Sequence, residues 1–160
     1  MNNPTAAMIV IGDEILSGRT RDSNMHYLAK ELVKIGIGLQ EVRIVSDVEN
    51  EIIFAVNELK KKFNYVFTSG GIGPTHDDIT ADSIAKAFNV KIGVRSDAKQ
   101  LLTEYYKKSK VTLNESRLRM ARIPEGAHLI ENPISVAPGF QIENVYVMAG
   151  VPSIFQSMVI

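Results

Sequence analysis

Three short apolar or alternating runs, each halted near a glycine or an acid and each followed by a helical pattern, constrain this chain more than any other feature. The first, Ala6-Ala7-Met8-Ile9-Val10-Ile11, stops at Gly12. Unbroken apolarity over so few residues is what a strand buried on both faces requires. Asp22-Ser23-Asn24 then offers capping side chains. Met25, Leu28, Ala29, Leu32, Val33 and Ile35 recur at helical spacing up to Gly36, a residue suited to ending a helix. Residues 39–45 alternate apolar and polar like a strand, with Asp47 just beyond, and Ile52, Ile53, Val56, Leu59 and Phe63 mark a second helix. A strand at 65–68, a glycine loop and a helix at 79–88 complete a β-α-β-α-β-α series. Such alternation predicts a three-layer α/β/α sandwich around a mostly parallel sheet. Ligands bind such sheets at the carboxyl ends of the strands. Gly12-Asp13-Glu14, Asp47 and residues 69–78 all follow strands, so one edge is expected to collect them.

The remainder is less regular. Residues 90–94 read as a short strand and 97–109 as a helix. Residues 113–121 read as another helix, with Leu113, Arg117, Met120 and Ala121 in register. Gly139-Phe140-Gln141-Ile142 and Val145-Tyr146-Val147-Met148-Ala149 flank Glu143-Asn144 as a small β-hairpin, with Asn tolerating the positive φ of a tight turn. A last helical pattern opens at Pro152. Arg117 and Arg119 cannot share a helix face, and Arg122 joins neither without a break, so a solvated face is expected for the three.

The chemistry concentrates in Thr68-Ser69-Gly70-Gly71-Ile72-Gly73-Pro74-Thr75-His76-Asp77-Asp78-Ile79-Thr80. Glycines between a strand and a helix start let the backbone approach a ligand closely, and main-chain N–H groups with the helix dipole favour a phosphate. Ser69, Gly70, Gly71, Gly73 and Thr75 form the expected phosphate cradle. No Lys follows the glycines and the GxGxxG spacing is missing, which argues against P-loop chemistry. Asp77 and Asp78 are adjacent carboxylates that repel unless exposure or a cation relieves them, so both are candidate ligands for Mg²⁺ or another divalent ion. Asp78 also suits a helix N-cap, and Asp47 suits a cap for the helix near Glu49.

The loop resembles the signature of the molybdopterin-binding, molybdenum-cofactor-biosynthesis fold, in the version found in competence/damage-inducible CinA-type proteins. Ile11-Gly12-Asp13-Glu14-Ile15-Leu16, Asn24, Asp47, Asn132-Pro133, Ala137-Pro138-Gly139-Phe140 and Gly150-Val151-Pro152-Ser153 follow in the family's order. The resemblance implies catalytic roles for Asp78 and Asp47. It adds Glu14, Asn24, Asn132, Gly139, Gly150 and Ser153 to the ligand-binding set. It also implies a phosphorylated small-molecule ligand (molybdopterin, ADP-ribose or a dinucleotide such as FAD) and a dimer or trimer. Metal-dependent pyrophosphatase action is the activity implied first. Molybdopterin adenylyl transfer and a non-catalytic binding module use nearly the same site. The chain departs from the family where Ile134-Ser135-Val136 replaces a glycine-bearing segment, and where Ile154 stands in place of Glu. No ligand contact is therefore expected at Ile154.

With 160 residues the chain is expected to form a single such domain, and its apolar ending at Pro152 onward suggests further C-terminal sequence in the full protein. A net charge of zero gives no electrostatic footprint for nucleic acid or an anionic membrane. Cysteine is absent, which removes disulfides, thiolate nucleophiles and cysteine metal sites. The start Met1-Asn2-Asn3-Pro4-Thr5 lacks a signal-peptide pattern, and no apolar run approaches the roughly 20 residues a membrane helix needs. A cytoplasmic setting is the expectation.

Overall fold

In the computed structural model, which describes residues 3–159, the central sheet has six strands. The first strand β1 (Thr5–Ile11) leads through a short helix α1 (Asp13–Leu16) and helix α2 (Asn24–Lys34) to β2 (Gly38–Val45). Helix α3 (Glu49–Lys62) returns the chain to β3 (Tyr65–Ser69), and the glycine loop leads into α4 (Thr80–Ala87). After an excursion the chain comes back through β6 (His128–Ile130), β7 (Gly139–Ile142) and β8 (Val145–Met148), and ends in α7 (Pro152–Val159). The strand order is β2-β1-β3-β8-β7-β6. Strands β2, β1, β3 and β8 run parallel, while β7 is antiparallel to its neighbours β8 and β6. The expected hairpin is therefore no appendage, because β8 pairs with β3 and extends the main sheet.

Strand β1 shows why the sandwich has three layers. Successive side chains of a strand point to opposite faces. Ala7, Ile9 and Ile11 join Ile52, Val56 and Leu59 of α3 and Ile84 of α4 in one core. Ala6, Met8 and Val10 join Leu28 and Leu32 of α2 and Phe155 and Met158 of α7 in the other. Residues 6–11 of β1 are at most 2% exposed, so neither face can be the solvent face and the apolar run is explained.

The excursion between α4 and β6 carries β4 (Ile92–Val94), helix α5 (Ser96–Lys108), a four-residue helix α6 (Glu115–Leu118), a 3₁₀ turn (Arg119–Ala121) and β5 (Arg122–Pro124). Strands β4 and β5 make a separate two-stranded antiparallel sheet. The expected helix over 113–121 is thus broken in two. Asn114 caps α6 by accepting from Arg117 N at 2.8 Å, and Arg95 N donates to Ala121 O at 2.9 Å, drawing the chain towards β4. At the β7–β8 turn the positive φ falls on Glu143. Asn144 instead donates through Nδ2 to the carbonyls of Lys60 and Phe63, closing the end of α3. Among the described residues no helix is long and apolar enough to cross a membrane.

Candidate functional site

The glycine loop is shaped mainly by main-chain bonds. Gly70 has φ +100°, and a Cβ there would lie 2.1 Å from Ile11 O. Gly71 has φ +77°, and its Cβ would lie 1.9 Å from Thr80 Oγ1. Only glycine fits either position. Fully buried Thr80 then clamps the loop: Oγ1 donates to Gly70 O at 2.9 Å and its N–H donates to Gly71 O at 3.0 Å. Gly70 N donates to Met148 O at 3.1 Å, tying the loop to the end of β8. The N–H groups of Gly71, Ile72 and Gly73 find no acceptor among the described residues, and all three residues line a cleft of about 760 Å³. That volume lies within the usual range for small-molecule sites.

Asp78 does not cap α4, whose N-cap is Ile79. Its Oδ2 accepts from Thr75 N at 2.9 Å and from Thr75 Oγ1 at 2.8 Å, closing the turn that follows Pro74. Asp78 still lines the cleft. Arg119 Nη2 donates to its carbonyl at 3.2 Å. Arg119 Nε is buried without a partner among the described residues, so this guanidinium is held against the loop with a donor to spare. Arg122 pairs with Asp82 at 2.6 Å, and Arg117 lies on the cleft wall. The solvated face expected for the three arginines is therefore corrected. The break between α6 and the 3₁₀ turn redirects them in ways that helical spacing does not anticipate.

The acids that follow β1 and β2 sit at the same edge. Asp47 does not cap α3, whose N-cap is Val48. It accepts through Oδ2 from Asp13 N, while Asp13 accepts through Oδ1 from Asp47 N, both at 3.1 Å. This reciprocal pair joins the ends of the two strands. Burial raises the pKa of Asp47. The hydrogen bond from Asp13 opposes that rise, and the negative charges of Asp13, Glu14 and Asp78 add to it. Acids from three loops thus feel one another, and the Asp47 carboxylate holds a proton more tightly than an ordinary aspartate. Glu14 folds back over Gly12, where a Cβ would meet its Oε1 at 2.5 Å, and it lines the cleft.

The remaining expected residues divide clearly. Gly150 is on the cleft wall, and its carbonyl accepts from Asn24 Nδ2 at 2.9 Å, so Asn24 supports the wall from behind. Asn132 also lines the cleft, but its side chain bonds within its own loop, to Ile134 N, Ser135 N and Oγ, and Ala137 O. Thr75 is engaged with Asp78. Ser69 is buried at the end of β3, and Ser153 is exposed at the start of α7, neither on the wall. Gly139 serves close packing in the sheet, since a Cβ there would lie 2.3 Å from Val147 O. Ile154, set aside on sequence grounds, does line the cleft. Asp77 lies outside the wall, beside His76 at 3.4 Å, with its side chain 77% exposed.

Among the described residues no group of three or more His, Cys, Asp or Glu side chains is placed to hold a metal ion. Glu14 and Asp78 are nevertheless both on the cleft wall. One or two carboxylates are the usual protein share of a Mg²⁺ site when phosphate oxygens complete the shell. Sequence reasoning did not mark Tyr105, Tyr106, Ser109 and Val111, which with Arg117 form another wall of the cleft. The signal available was the adjacent tyrosine pair at the end of a helical pattern.

Residues 7–160 match the family described as probable molybdopterin binding domain. A protein of Archaeoglobus fulgidus is 37% identical over 147 residues, spanning 91% of this chain and 62% of its own length. A protein of Metallosphaera sedula is 36% identical over 159 residues, spanning 96% of this chain and 60% of its own length. The chain therefore spans about 60% of the length of these curated relatives. Among solved structures, the protein CinA of unknown function from Thermoplasma acidophilum superposes with a TM-score of 0.88 at 31% identity, covering 97% of this chain and 94% of that one. The tungsten cofactor synthesizing protein MoaB of Pyrococcus furiosus shares the fold, with a TM-score of 0.62 at 20% identity over 99% of this chain and 89% of its own.

Proposed function

The chain belongs to the molybdopterin-binding domain family, and on that premise we propose that its cleft binds a phosphorylated pterin or nucleotide and hydrolyses a diphosphate of the ADP-ribose or FAD type. The observation that carries this reading is the glycine loop: Gly71, Ile72 and Gly73, whose N–H groups have no acceptor among the described residues, line the same cleft as Asp78 and Glu14. Main-chain donors of this kind take the charge that develops on phosphate oxygens and need no rearrangement as it appears. Glu14 and Asp78 would hold a divalent ion, which when bound supplies charge neutralisation for the diphosphate. Asp78 Oδ2 is anchored by Thr75, which leaves Oδ1 to orient a water. Asp47 lies off the cleft wall but feels the Asp78 charge, and its raised pKa suits it to take up, through intervening water, the proton released as the P–O bond breaks.

A binding module without turnover is the second reading. It is favoured by the engagement of Asp47 with Asp13 and of Asp78 with Thr75. Molybdopterin adenylyl transfer would use the same groups. The test is to incubate the protein with ADP-ribose, FAD, or ATP plus molybdopterin, with and without Mg²⁺ or Co²⁺, and to follow the products. Metal-dependent release of AMP is expected, falling about 100-fold or more in Asp78→Asn with the fold retained. A rise in melting temperature without product would replace the hydrolase by a binding module. Self-association as a dimer or trimer and a cytoplasmic setting belong to the same proposal, and light scattering checks the former.

A further inference from the structure

A second part of the cleft wall that carries the glycine loop has a chemistry of its own. Tyr105 and Tyr106 close α5 with ring centroids 5.3 Å apart and planes at 83°. In such an edge-to-face pair one ring keeps both faces clear of its neighbour. Tyr106 packs partly against the core and is held in place by it, whereas Tyr105 is 36% exposed. The Arg117 guanidinium lies 5.3 Å from the Tyr106 ring centroid. It is steadied by Nη1 donating to Thr112 O at 2.6 Å, while its N–H donates to Asn114 Oδ1 at 2.8 Å. Both partners of Arg117 are neutral, so its charge is not compensated by them.

From this we propose that Tyr105, Tyr106 and Arg117 form the seat for a planar fused aromatic heterocycle, a purine or a pterin, whose phosphates lie against the glycine loop across the cleft. The proposal rests on the phosphate-binding reading only for the position of the rest of the ligand. Two rings and a flat guanidinium offer stacking surfaces that a sugar phosphate without a ring system cannot use. The glycine wall presents main chain and two carboxylates, so it discriminates phosphates and not rings. Ring recognition falls to the opposite side, where Val111 and Met120 add apolar surface.

The experiment is calorimetric titration with four probes: ADP, ribose 5-phosphate, adenosine and neopterin. ADP is expected to bind about 10-fold or more tightly than ribose 5-phosphate, as stacking of one base provides. Tyr105→Leu, Tyr106→Leu and Arg117→Gln should each weaken ADP and the preferred nucleoside-sized probe by about 5- to 100-fold, leaving ribose 5-phosphate within about 2-fold. Tyr106→Phe should bind like the parent, since the ring and not the hydroxyl is required. The tighter of adenosine and neopterin identifies the ring class. Should Tyr106→Leu fail to fold, the exposed Tyr105 variant still decides. The seat is refuted if the leucine variants leave ADP unchanged or weaken ribose 5-phosphate equally, and also if no probe binds. If ribose 5-phosphate fails to bind and Asp78→Asn leaves ADP binding intact while Tyr105→Leu weakens adenosine, the phosphate reading falls and the ring seat stands.

Discussion

On one side of the cleft, Gly70 to Thr80 holds its shape mainly through carbonyls and amides, with the buried Thr80 hydroxyl and the Asp78–Thr75 bonds closing its turns. On the other, Tyr105, Tyr106 and Arg117 project side chains from the end of one helix and from a four-residue helix. A main-chain wall depends on conformations that few residues adopt, so its shape and the stability of the fold are one property. A side-chain wall stands on a backbone that many residues adopt, so its surface can change while the fold persists. A rigid wall and an adjustable wall thereby line one space.

That contrast can be attacked in order of expected effect. Gly70→Ala puts a methyl 2.1 Å from Ile11 O at a φ of +100°, and urea unfolding should show a loss of about 3 kcal/mol. A loss under about 1 kcal/mol would mean that the loops yield and that the main-chain wall is not rigid. Thr80→Val keeps the shape but leaves the Gly70 carbonyl without its 2.9 Å donor. The expected cost is about 1–3 kcal/mol, because a buried acceptor goes unpaired. Equal stability would show that water reaches this carbonyl. Tyr105→Leu, by contrast, should stay within about 0.5 kcal/mol of the parent in the same assay. A larger cost would make the far wall part of the folding core and would erase the distinction.

The two walls also differ in how far the sequence reveals them. The glycine loop is legible because its glycines, Asp78 and Thr80 cluster in one short segment between a strand and a helix, and such clusters mark a loop. Strands β1 to β3 with α2, α3 and α4 are legible from periodicity, since each is long enough to show a period. Helix α1 and strand β6 have four and three residues, too few for any period to emerge. The far wall is hidden for another reason. Tyrosine and arginine are ordinary on helices, and only the turn between α5 and α6, where Arg117 Nη1 reaches Thr112 O, brings Arg117 beside Tyr106. Asp47 illustrates a third limit: its residue type suited a cap, but the partner it found was Asp13, 34 positions earlier. The parallel pairing of β8 with β3 is likewise a long-range choice that a local turn signal does not encode.

A Cβ at Gly150 would lie 3.1 Å from the Gly70 Cα, so the loops leaving β3 and β8 touch backbone to backbone. Where two bare main chains meet, there is no side chain for selection to exchange. A change of ligand preference in this cleft would then come from the surrounding walls, while the Gly70–Gly150 contact stays as it is. The seam between these two loops is in that sense the hinge pin of the cleft, and the tyrosine side is the part open to revision.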